Sequence, residues 1–158
     1  MRRTFKAATA AGALLIALAA VGCSASATTQ APFVGYKWQV TSIISHGQQT
    51  PLPRNERQVN DVYVLFTRNG QFGANDPVNF HSATYRLVGD GFTTGEVRTT
   101  LAAYGGDNQT ILLAIDAISA FNAGVHAEAT VTGNRLVISV GGFLLNCQRD
   151  GATPSSFS

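Results

Sequence analysis

The chain has 158 residues, 45% hydrophobic and 13% charged, with 11 Lys/Arg, 9 Asp/Glu and two cysteines. That length allows one domain with a modest core and is too short for two. Arg2, Arg3 and Lys6 fall in the first six residues; beyond them eight bases face nine acids with no Lys/Arg run, so no nucleic-acid partner is expected.

Residues 1–22 combine a basic start with the apolar run AATAAGALLIALAAVG, residues 7–22. The run is shorter than the roughly 20 residues of a membrane-spanning helix and has the form of a signal peptide. It ends in Ala20-Val21-Gly22-Cys23, which resembles the lipobox of bacterial lipoproteins. There the cysteine is acylated and becomes the first residue of the mature chain. Ala20 stands where leucine is usual. The expectation is a lipid at Cys23 and an outward-facing protein anchored to the cell membrane. An ordinary signal peptide, cleaved near Ala25-Ser26-Ala27, is the alternative. Residues 23–32 are small and polar, as a tether would be. Residues 150–158 look like an unstructured tail, which leaves 33–149 as the domain.

Period-two alternation dominates that domain. Residues 36–44 alternate Tyr36, Trp38, Val40 and Ser42 against Lys37, Gln39, Thr41 and Ile43, and Trp38 is the expected core anchor. Residues 45–60 read as a long loop, with Pro51 and Pro53 barring a central strand. Residues 61–68 form a strand leading to Asn69-Gly70, a hairpin signal in which both turn residues take positive φ. Strands are expected at 71–74, 83–88, 92–97, 126–131, 135–140 and 143–148. Between them, Ile111, Leu112, Ile115, Ile118 and Phe121 recur at helical spacing. The helix should run over about 108–123, capped by Asp107 or Asn108 and closed by Gly124 at C′. The fold class is α+β: an antiparallel, partly barrel-like sheet of about 7–8 strands with one helix packed on it.

The order of motifs from Val34 to Arg149 resembles the META-domain, HslJ-type family of heat-shock-linked envelope proteins. The matching residues are Gly35-Tyr36-Lys37-Trp38, Ser42-Ile43, Gly47, Asn69-Gly70, the Gly73–Asn79 loop, Ser82-Ala83-Thr84-Tyr85, Thr100–Tyr104 and Gly133-Asn134-Arg135-Leu136. The resemblance implies an α+β domain without established enzymatic chemistry, and structural weight at Trp38, Asn69, Gly70, Asn79 and Tyr85. Two cysteines of the family pattern are Val78 and Tyr104 here. If the family pair is a disulfide, apolar packing is expected in its place.

Residues with possible chemistry are few. His46, His81 and His126 lack the close spacing of a zinc site, so no metal is expected. Asp76, His81 and Ser82 suggest a hydrolase triad only by proximity, and adjacent strand residues face opposite ways. Asn75, Asp76 and Asn79 suit an Asx turn better than a Ca²⁺ site. Gly105-Gly106-Asp107 lacks the lysine of a phosphate loop. Cys147 reads as a buried small hydrophobe, with a Cys23–Cys147 disulfide open only if Cys23 is unacylated. The expectation is a non-catalytic, cofactor-free envelope lipoprotein for envelope maintenance, stress tolerance or protein interaction. The alternative is a carrier or sensor of a small apolar ligand, using a cavity between sheet and helix.

Overall fold

Alternating strands need a partner for each buried face, and here the sheet meets that need by closing on itself. The computed structural model describes residues 30–52 and 61–153. The strands are β1 (Tyr36–Ser45), β2 (Gln48–Pro51), β3 (Tyr63–Phe66), β4 (Gln71–Asn75), β5 (Phe80–Val88), β6 (Gly91–Thr94), β7 (Arg98–Thr99), β8 (His126–Thr132), β9 (Arg135–Val140) and β10 (Phe143–Ala152). Eight of them, β1-β3-β4-β5-β6-β8-β9-β10, form an antiparallel barrel closed by β10 on β1. β2 pairs with β1 alone and β7 with β5 alone. One helix, α1 (Gln109–Ser119), completes the described residues. The α+β, barrel-like architecture is therefore the observed one.

The interior holds inward-facing residues from all eight barrel strands, from Trp38 and Val64 to Ile138 and Leu145. Phe66 is its centre, with the rings of Phe33 and Phe92 each at 4.8 Å, Phe72 at 5.4 Å and Tyr85 at 5.5 Å. Such aromatic pairs add about 0.5–1.5 kcal/mol each beyond area burial. α1 contributes Ile111, Ala114, Ala117 and Ile118, and Phe121 reaches Phe72 at 5.0 Å.

Antiparallel pairing sorts the connections into two ends. The 67–70, 88–91 and 132–135 turns lie at one end with the arriving segment 30–35 and the end of β10. The 46–47, 76–79 and 141–142 turns lie at the other. Phe33 and Val34 bury themselves at the first end. A Cβ on Gly141 would come within 2.8 Å of the Ala120 Cβ, so the end of α1 sits against the second.

Several details differ from expectation. Of the expected loop 45–60, the described residues 45–52 are not simply loop: His46 (φ 51) and Gly47 (φ 77) make a tight turn into β2. Pro51 is tolerated because it ends an edge strand. In β1, Val40 pairs with Cys147 and Ser42 with Asn146, leaving Thr41 as an extra residue. This bulge returns Ile43 to the core, on the same side as Val40. At Asn69-Gly70 only Gly70 has positive φ (84°), so a turn followed by a glycine bulge replaces the two-residue form.

The helix stops at Ala120, four residues before Gly124, because Phe121 turns inward to the barrel. Gly124 instead takes φ 78° in the following turn, its N–H donating to the Thr94 carbonyl at 2.8 Å. The stretch expected as tail from residue 150 begins as strand. Tyr36 pairs with Ala152, and the Thr153 N–H donates to the Gly35 carbonyl. Of the segment expected as tether, Ala31 already packs on the core. The signal segment, Cys23, the tether up to residue 29, residues 53–60 of the expected loop with Pro53, and the last five residues lie outside the described residues.

Candidate functional site

The β4–β5 connection gathers the one buried ion-capable pair among the described residues. The Asp76 N–H donates to the Asn79 carbonyl at 3.0 Å, closing the loop. Asp76 Oδ1 accepts from the Val78 and Asn79 amides, both at 2.7 Å, which is an Asx turn. Asp76 Oδ2 lies 2.7 Å from His81 Nε2, and both residues are buried. Burial alone would raise the Asp76 carboxyl. The His81 hydrogen bond and charge and the two amides together outweigh it and hold the group below its ordinary 3.8.

His81 continues the chain outward: its Nδ1 lies 3.0 Å from the Thr99 hydroxyl on β7. A carboxylate only accepts, so Nε2 carries the proton toward Asp76. A neutral ring accepts from the Thr99 hydroxyl at Nδ1, and a protonated ring donates to it. Hydroxyl, imidazole and carboxylate thus stand in the order of a nucleophilic triad. Ser82, the neighbour suggested by sequence, is not the hydroxyl involved; it pairs with Arg98 across β5 and β7. Acyl transfer also needs free N–H groups beside the nucleophile. Nearby, the Thr100 amide is spent on the Phe80 carbonyl and the Ala102 amide on Asn79 Oδ1.

Asn79 explains the geometry better as a strap. Its Oδ1 accepts from the Ala102 amide (2.8 Å) and the Thr100 hydroxyl (3.1 Å), while Nδ2 donates to the Ala102 carbonyl (3.0 Å). The Thr100 hydroxyl also accepts from the Phe80 amide at 3.0 Å. The Asn79 side chain and the Phe80 amide thereby hold Thr100 and Ala102 down through four hydrogen bonds. Between the pinned residues Leu101 is 99% exposed. Further along, Tyr104 packs on the core and Val78 is half-buried.

The remaining candidates scatter. Trp38 is fully buried, and its indole N–H donates to the Phe33 carbonyl at 2.9 Å. Tyr85 donates its hydroxyl to the Thr67 carbonyl (2.8 Å), and its amide donates to the Gly70 carbonyl (2.9 Å). Asn69 Oδ1 accepts from the Thr67 hydroxyl. Asn69, Gly70 and Tyr85 thus stabilise one turn. Asn108, not Asp107, caps α1, accepting from the Thr110 and Ile111 amides at 3.0 and 3.3 Å. Cys147 is a free thiol on β10, and burial pushes its pKa far up. His46 is exposed on its turn, and His126 lies 3.9 Å from Asp90. Among the described residues no three His, Cys, Asp or Glu side chains gather where a metal ion would fit. No described helix is long and apolar enough to cross a membrane.

Space for a ligand lies outside the barrel. A cleft of about 430 Å³ runs between residues 30–33, Leu87 and Val131. A second, of about 560 Å³, lies between Gln30, Val34, Tyr85, Leu87 and the two arginines Arg68 and Arg86. α1 lines neither.

No protein-family model matches the chain, and no curated protein matches it significantly. Solved structures do. A protein from Burkholderia xenovorans, determined by NMR, superposes with a TM-score of 0.56 at 12% identity, over 75% of this chain and 83% of that one. A second NMR structure gives 0.53 at 15% identity, over 72% and 88%. A DUF4847-family protein from Bacteroides vulgatus gives 0.49 at 11%, over 77% and 97%. None of these names the META-type family, and at such identities the likeness to the first two shows a shared fold alone.

Proposed function

We propose that the protein is an envelope lipoprotein, anchored through Cys23 to the outer side of the cell membrane, with a META-type domain that works by contact rather than catalysis. The observation that carries this reading is the position of Cys23, directly behind the basic and apolar start. One acyl chain gives only marginal membrane binding, and several hold the protein firmly. The domain's chemistry supports a non-catalytic role. The buried thiol is far from thiolate, and the Asp76–His81–Thr99 chain is used up in strapping β7 to β5. Leu101, held rigidly into solvent, suits an envelope protein partner.

A second reading, a carrier of a small apolar molecule, is favoured by the two apolar clefts at residues 30–34 and Leu87. The space between sheet and helix is taken by side chains of the core, so these clefts are where such a ligand would fit. The deciding experiment is intact-mass analysis of protein from its native membrane, with Cys23→Ala as control. An N-terminus at Cys23 bearing acyl mass is expected. An unlipidated product starting near Thr28 would overturn the anchor and favour a diffusible carrier.

A further inference from the structure

We propose that the end of the barrel formed by Leu87, Val88, Arg68 and Arg86 is the face that lies against the membrane. This rests on the lipid anchor proposed above. Leu87 and Val88, at the end of β5, are 43% and 45% exposed, adjacent apolar residues where the alternating pattern would place a polar one. Arg68 projects from the neighbouring β3–β4 turn, and Arg86 precedes Leu87; both are exposed and neither forms an ion pair among the described residues. Both arginines and Leu87 line one cleft, so cationic and apolar groups share one surface.

The length of the tether points to the occupant. Gln30, the first described residue, lines the same cleft, and Cys23 lies seven residues before it. Seven extended residues span at most about 25 Å, so this end of the barrel stays close to the lipid while the opposite end is carried away. Exposed apolar side chains beside arginines match a surface of anionic headgroups over acyl chains. Asp90 and Glu128 lie on the other side of Leu87, toward β8, which tilts the domain onto its arginine side. Each arginine is expected to raise the ratio of docked to undocked domain roughly fivefold on an anionic bilayer.

The test uses the full-length acylated protein in vesicles of phosphatidylethanolamine and phosphatidylglycerol. An environment-sensitive fluorophore is placed at Val88→Cys, at Leu87→Cys as a second site, and at Gln48→Cys on the opposite end; buried Cys147 stays unlabelled. Headgroup-level spin-labelled lipid should quench the probes at 87 and 88 several-fold more than the probe at 48. Arg68→Gln with Arg86→Gln should remove most of that difference. Equal quenching at both ends, with acyl mass confirmed on Cys23, overturns the docking face and leaves the lipoprotein reading intact. Absence of acyl mass overturns the anchor, and the docking face with it.

Discussion

Asp76 Oδ2 lies 2.7 Å from His81 Nε2, with both side chains shut away from water. The carboxylate also accepts two amides of its own loop, so its removal leaves several buried donors unpaired. Asp76→Ala should destabilise the domain by roughly 2–3 kcal/mol. A fall in Tm of about 10 °C or more, measured by calorimetry, is the expected readout.

The same carboxylate predicts an acid limb of stability. Its folded pKa lies below the ordinary 3.8. The unfolded chain therefore takes up the proton first as pH falls. The contribution is complete well above 3.8 and is lost as pH drops through the lower folded value. Denaturant titrations between pH 6 and pH 2 should show this loss in the wild type and a weaker one in Asp76→Asn.

Gly89 and Gly91 should respond differently to alanine. A Cβ on Gly91 would stand 1.9 Å from the Ala127 carbonyl oxygen, where β6 meets β8 and the backbone cannot withdraw. Gly89 has open space around it and pays only for its φ of 58°. Gly91→Ala is expected to cost upwards of about 3 kcal/mol, and Gly89→Ala about 1 kcal/mol. Parallel urea melts compare them directly.

Cys147 should resist thiol reagents in the native state. Its side chain is buried among apolar neighbours and its thiol is held protonated. Labelling by a maleimide at neutral pH should track global unfolding. Fast labelling without denaturant would show that β10 opens locally.

Leu101 and Asn79 separate display from support. Leu101→Ser removes a side chain with almost no buried area and should change stability by less than about 0.5 kcal/mol. Asn79→Ala releases the Ala102 backbone from both its side-chain bonds and should expose residues 99–106 to limited proteolysis.

The long strands were legible because their alternation is strong, as at Val64 and Phe66 or Leu136 and Ile138. β2 and β7 were not: Gln48–Pro51 and Arg98–Thr99 contain no apolar alternation and exist as additions to edges already formed. The bulge at Thr41 is invisible to a periodicity count, so strict alternation places Ile43 on the wrong face. Gly124 drew the helix too far because a glycine after an apolar stripe reads as a cap, while the inward pull on Phe121 depends on distant Phe72 and Phe92. The Asp76–His81–Thr99 chain depends on one loop closing and on β7 pairing with β5. Only the Asx turn within it was local enough to read.

The pairing of β1 with β10 joins the first strand among the described residues to the last. High sequence separation of this kind slows folding. Until residues 143–152 are available, the remaining strands form an open sheet with β1 and β9 as bare edges. A growing or threading chain therefore cannot lock early, and it stays pliable until its final segment has emerged. On the export proposed above, such late locking favours passage across the membrane.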